Sequence, residues 1–121
     1  MTIYKCEHCG TMVEEIKQGA KPVCCGQPMT KLEPGTSDGA VEKHVPAYTV
    51  SGNEVKVSVG EVEHPMVDAH YIEWIAVETN QGIYRKELKP QEKPERSFLL
   101  SEGETVVAVY AYCNLHGLWK A

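Results

Sequence analysis

Apolar and polar residues alternate through Val55, Lys56, Val57, Ser58 and Val59. That period of two belongs to a β-strand with one buried face. The turn formers Ser51, Gly52 and Asn53 lie just before it and predict a hairpin to a strand over residues 48–50. Residues 70–79, HYIEWIAVET, predict a stronger strand, dense in β-branched and aromatic side chains. Asn80, Gln81 and Gly82 then read as a turn, followed by a strand over residues 83–88 and a short one over residues 97–100. The longest strand is residues 105–113, TVVAVYAYC. Strict alternation there puts Val107, Val109, Ala111 and Cys113 on one face and Val106, Ala108, Tyr110 and Tyr112 on the other. No segment carries a helical period. About seven short strands, with turns roughly every 8–12 residues, predict a mostly β protein built on an antiparallel sandwich with Greek-key connections.

The first 33 residues do not follow this pattern. They show little alternation and hold four of the five cysteines. Glu33, Pro34, Gly35, Thr36, Ser37, Asp38 and Gly39 are rich in turn formers and read as a linker. The chain therefore divides into a small module, residues 1–34, and a β domain, residues 35–121. Hydrophobic residues make up 42 % of the chain, enough for a packed core in the larger part. No apolar run approaches the roughly 20 residues of a membrane span. The start MTIYKCEHCG lacks the apolar stretch of an export signal, so a cytoplasmic location is expected. A formal charge of −5, with no basic stripe interleaved with aromatics, argues against nucleic acid as a partner. It also repels small anions, but screening confines that repulsion to about 8 Å, so charge close to a site matters more.

An odd number of cysteines in a chain without an export signal points to metal or redox chemistry over a disulfide framework. Cys6 and Cys9 form a C-x-x-C pair, and Cys24 and Cys25 follow as an adjacent pair. Four thiolates in so short a module can enclose one tetrahedral ion. Zinc and iron both suit four sulfurs, and zinc ribbons usually space both of their pairs. A module this small lacks core, so the metal would supply much of its stability. Gly10 and Gly26 follow the two pairs and free backbone N–H groups to turn toward sulfur. His8, between the first two thiols, reads as a solvated loop residue.

The other four histidines fall at strand ends or in loops of the β region: His44, His64, His70 and His116. In one extended strand His64 and His70 would lie roughly 20 Å apart. Pro65 favours a turn instead, and a loop there is able to bring the two imidazoles together. Cys113 precedes His116 by three positions, a spacing that presents a thiolate and an imidazole to one ion. Four imidazoles and one thiolate suit iron, copper or zinc, and five protein ligands favour a redox metal with one open position. The bland alternative is a zinc ribbon fused to a sandwich that binds a partner without catalysis. In it the histidines are surface residues and Cys113 is a small buried hydrophobe.

Taken as a set and in order, CEHCG…CCG, EKHVP, EHPM…HYIEWI and CNLHGLW resemble desulfoferrodoxin, the two-iron class of superoxide reductases. The resemblance runs from Cys6 to Trp119 and implies the following. The first module is similar to desulforedoxin and rubredoxin and holds one iron on Cys6, Cys9, Cys24 and Cys25. An immunoglobulin-like sandwich follows, carrying a catalytic iron on His44, His64, His70 and His116 with Cys113 as axial ligand. The position opposite the thiolate is open for superoxide, which is reduced to hydrogen peroxide without release of dioxygen. Glu42 caps that position in the oxidised state, and Lys43 attracts superoxide and assists protonation. A rubredoxin-like electron donor and a homodimer are also implied.

Overall fold

The computed structural model describes residues 1–35 and 39–121. Pro34 and Gly35 form a turn, as the linker composition predicts, while Thr36, Ser37 and Asp38 of that linker lie outside the described residues. Two compact units result, Met1–Glu33 and Pro34–Ala121.

The first unit is built from five very short strands: β1 (Ile3–Lys5), β2 (Met12–Glu14), β3 (Val23–Cys24), β4 (Gln27–Pro28) and β5 (Thr30–Lys31). Strands β2, β1 and β5 make one antiparallel sheet in that order, and β3 pairs with β4. Segments of two or three residues are too short to show alternation, which is why the sequence predicted none of them. The unit's hydrophobic cluster is only Tyr4, Cys6 and Met29, with Cys24 packed against it. So small a cluster matches the need for a metal crosslink.

The second unit begins with one helical turn, α1 (Val41–His44), where no helix was expected. Four residues are too few to show a 3.6 period. Val45, extended at φ −69° and ψ 122°, ends the turn, because the proline that follows disfavours helical geometry before it. Seven strands follow. A hairpin joins β6 (Pro46–Ser51) to β7 (Glu54–Val59), and the chain then crosses to β8 (Ile72–Thr79) and β9 (Ile83–Glu87). It returns to β10 (Glu95–Leu99) beside β7, then crosses again to β11 (Val106–Cys113) beside β8 and ends on β12 (Gly117–Lys120). The two sheets, β10-β7-β6 and β12-β11-β8-β9, are wholly antiparallel. Both contribute to one core, with Val55, Val57, Val59 and Phe98 from the first and Ile72, Ile75, Val77, Val109, Ala111 and Cys113 from the second. This is an immunoglobulin-like sandwich.

One facing differs from simple alternation. The pairing of β11 with β8 shifts register between Val106 and Ala108. The bulge turns Val107 outward to 60 % exposure, and Val106 packs on the core in its place. Beyond the bulge the predicted facing holds, so Val109, Ala111 and Cys113 line the interior. At this end of β8 the buried carboxylate of Glu104 accepts hydrogen bonds from the hydroxyls of Thr79 and Tyr84 and from the Ser101 N–H. The Thr79 hydroxyl is the main cause that holds this carboxyl below its ordinary range. The opposite end of β8, where Ile72 pairs with Cys113, is the end that carries the histidines.

Two candidate metal centres

In the first unit the four sulfur atoms of Cys6, Cys9, Cys24 and Cys25 all lie within 4.8 Å of one another. None is in a disulfide. The two pairs meet because Gly10 and Gly26, at φ +81° and +75°, let each turn reverse just after its cysteines. The Gly10 N–H closes the first turn on the Cys6 carbonyl at 2.9 Å, and it is the Cys9 N–H that points to Cys6 Sγ, at 3.5 Å. Thr11 Oγ1 lies 3.1 Å from Cys9 Sγ. That hydroxyl is the leading cause that lowers the Cys9 thiol to about 6, whereas hydrogen bonds with Cys9 and Cys6 push Cys25 up to about 12. The sulfurs share protons unevenly, and a cation is what allows all four to be thiolates together. His8 is exposed and outside the cluster.

The second cluster gathers His44, His64, His70, Cys113 and His116, whose donor atoms again lie within 4.8 Å of one another. They come from four parts of the sandwich end. His44 closes α1, His64 and His70 lie on the loop between β7 and β8, Cys113 ends β11, and His116 sits in the turn to β12. Neighbouring imidazole centroids are 4.6 Å (His44–His64), 4.7 Å (His64–His70), 5.0 Å (His70–His116) and 4.7 Å (His116–His44) apart. The His44–His70 diagonal is 6.3 Å. Neighbouring rings stand near perpendicular, at 69° to 83°, while the diagonal pair is inclined by only 27°. Four rings therefore form a near-square, each turned edge-on to the next. The fifth donor, Cys113 Sγ, lies 3.8 Å from His116 Nδ1 and is fully buried in the sandwich core.

The nitrogens that point inward are set by what the other nitrogen does. His44 Nδ1–H donates to the Ala40 carbonyl and His64 Nδ1–H to the Pro65 carbonyl, both at 2.7 Å, so each turns the lone pair of Nε2 inward. His116 presents Nδ1, 3.1 Å from His44 Nε2. Burial is the main cause that keeps His44 and His70 below the ordinary imidazole value and lowers His64 to about 4, so the rings are neutral ligands at pH 7. Burial also pushes the Cys113 thiol up, opposed by the backbone N–H groups of Leu115 and His116. His64 Nε2 and His70 Nε2 are buried without a hydrogen-bond partner. Leaving two such nitrogens bare costs about 1–3 kcal/mol each. Imidazole nitrogens converging on one another beside a buried thiol fit a metal cation.

Glu42 and Lys43 precede His44 on α1, and both are exposed. Lys43 is near enough that its charge helps, after burial, to hold His44 and His70 down. The turn is held from behind by Gly60 and Val62, whose N–H groups donate to the carbonyls of Val45 and Glu42 at 3.1 Å and 3.0 Å. Trp119 was given no role by sequence reasoning. Its indole stacks on His44 at 5.0 Å, and its Nε1–H donates to the His116 carbonyl at 3.0 Å, so one side chain braces two ligands. The signal available was an aromatic three positions after a candidate ligand, on a strand that the sequence did not reveal.

Residues 36–121 match the family model described as desulfoferrodoxin, and residues 1–32 match that of the desulfoferrodoxin N-terminal domain. A desulfoferrodoxin from Nitratidesulfovibrio vulgaris is 49 % identical over 120 residues, covering 98 % of this chain and 94 % of its own. A desulfoferrodoxin homolog from Archaeoglobus fulgidus is 47 % identical over 122 residues, covering 100 % and 96 %. Among solved structures, the superoxide reductase from Treponema pallidum superposes with a TM-score of 0.81 at 39 % identity, covering 93 % of each chain. Identity at this level over nearly the whole chain, with a family model matched in each unit, shows that the chain belongs to the desulfoferrodoxin family.

Proposed function

We infer that the chain is a superoxide reductase, which adds one electron and two protons to superoxide and yields hydrogen peroxide without dioxygen. The observation that carries this reading is the near-square of four imidazoles beside a buried cysteine. Residues 35–121 form the reductase domain, with His44, His64, His70, His116 and Cys113 as ligands of its iron. Residues 1–34 form a four-cysteine iron module on Cys6, Cys9, Cys24 and Cys25, with an electron-transfer or structural role. When bound on the five ligands, iron supplies the electron and an open position, and a thiolate ligand raises the electron density available to it.

The rest is work for the chain's own side chains. Cys113 lies in the dry core, so the thiolate side of the site excludes water. His70 and His116 are half-buried and border solvent, from which the two protons come. Lys43 provides the local positive charge that an anionic substrate needs on a molecule of net charge −5. Glu42, beside it, is assigned to cap the oxidised site. A rubredoxin-like donor and a homodimer follow from the family resemblance. Five free thiols suit a reducing compartment such as the cytoplasm. No helix among the described residues is long and apolar enough to cross a membrane.

Protein made without oxygen in iron-replete cells is expected to hold two irons per chain and, once reduced, to consume superoxide. Zinc alone at one per chain, or no reaction with superoxide, would contradict this function. Lys43→Ala is expected to slow the reaction about tenfold and to flatten its dependence on ionic strength, measured by rapid mixing over a salt series. An unchanged salt slope would remove Lys43 from steering.

A further inference from the structure

The Asn114 side chain spans from the Cys113 turn to the loop that carries His70. Its Oδ1 accepts the Tyr71 N–H at 3.0 Å, and its Nδ2–H donates to the Ala69 carbonyl at 3.1 Å. Its backbone N–H adds a third bond, to the Tyr71 carbonyl at 3.2 Å. The residues on either side of His70 are thus both fastened to the residue that follows Cys113. The loop is also closed on itself, because the N–H and carbonyl groups of Val67 and His70 pair reciprocally at 3.0 Å.

His70 needs this fastening more than His44 or His64 does. Those two rings are oriented by Nδ1 bonds to carbonyls. No hydrogen bond holds the ring of His70 among the described residues, and its buried Nε2 has no partner. Its direction therefore depends on where its backbone is held. A terminal amide is the group that does this, since Oδ1 accepts from one peptide while Nδ2 donates to another.

We propose that Asn114 is a positioning residue for His70, fixing the loop against the Cys113 turn so that the fourth imidazole completes the square. The proposal rests on the reading of the five residues as metal ligands. Alanine removes both side-chain bonds. Aspartate keeps the acceptor for Tyr71 N–H, loses the donor to Ala69, and puts a carboxylate beside that carbonyl. A matched control lies at the opposite end of β8, where Asn80 Oδ1 accepts the Thr105 N–H at 3.0 Å.

The test uses the full chain loaded with ferrous iron at both centres and challenged with a ferrous chelator. Samples are oxidised at intervals, and the iron left in each centre is read from that centre's oxidised absorption. Asn114→Ala is expected to release iron from the histidine–cysteine site roughly 10- to 100-fold faster than the parent and to shift that site's oxidised absorption band. Asn114→Asp is expected to fall between the two, and it carries the same comparison should the alanine variant fail to fold. Asn80→Ala is expected to leave release from that site unchanged, and the four-cysteine centre is expected to match the parent in every variant. Release from both Asn114 variants no faster than from Asn80→Ala, with the band unmoved, would overturn the proposal alone. A parent chain that takes no metal on the histidines and Cys113 would overturn the metal reading and the proposal with it.

Discussion

Cys113→Ser is expected to lower the rate of superoxide reduction by at least about 100-fold, while the absorption of the four-cysteine centre stays as in the parent. Loss of a direct ligand should exceed the roughly 10- to 100-fold cost of losing a residue that only supports one. Serine matches cysteine in shape, so the sandwich core, in which Cys113 has 0 % exposure, is disturbed little. The hydroxyl is not ionised at neutral pH and cannot replace a thiolate as donor. Its burial leaves a polar group among Val109, Ala111 and Ile72, a cost of about 1–3 kcal/mol that tertiary packing tolerates. The check is rapid mixing with superoxide, alongside the visible spectrum of both centres. Reduction at the parental rate would show that the sulfur is only a buried hydrophobe.

Gly60→Ala is expected to be the most damaging substitution that touches no ligand. Gly60 has φ +85°, in the left-handed region. A Cβ there would stand 2.4 Å from the Val62 carbonyl oxygen, 2.6 Å from the Lys43 carbonyl oxygen and 2.8 Å from the Lys43 carbonyl carbon. All three are backbone atoms and have no rotamer with which to yield. Left-handed geometry alone costs a residue with a Cβ about 1–2 kcal/mol. With the clash added, a loss of about 3 kcal/mol is expected, or a melting temperature lower by roughly 10–20 °C for a unit of this size. Two of the three atoms belong to Lys43, in the turn that carries Glu42 and His44, so superoxide reduction should fall as well. Calorimetry on the iron-loaded chain measures the first effect. A change below about 1 kcal/mol would mean that the turn is not held as tightly as these distances require.

Much of the site was legible because its chemistry lies in residue types. Histidine and cysteine are scarce: the paired spacing of Cys6, Cys9, Cys24 and Cys25 marked one cluster, and four histidines at strand ends or in loops, with Cys113, marked the other. The strands that position them were legible where alternation ran long enough, as from Val55 to Val59. What escaped was short, irregular or written in backbone. The α1 turn is only Val41–His44, and β12 is only Gly117–Lys120, too brief for a period to register. The bulge between Val106 and Ala108 reverses an alternation that looked unbroken. Nothing in the sequence singles out Gly60, and the need for it appears only when the Lys43 carbonyl is found against it. Trp119 and Asn114 act through partners distant in sequence, a stacked His44 and the peptides around His70, and no spacing rule encodes such contacts.

The most direct measurement is the product balance when reduced, iron-loaded protein meets superoxide under an inert atmosphere. Reduction at the histidine–cysteine site yields one hydrogen peroxide per superoxide consumed and no dioxygen. Half an equivalent each of peroxide and dioxygen would mean dismutation instead, and would contradict the assignment of this chain as a superoxide reductase.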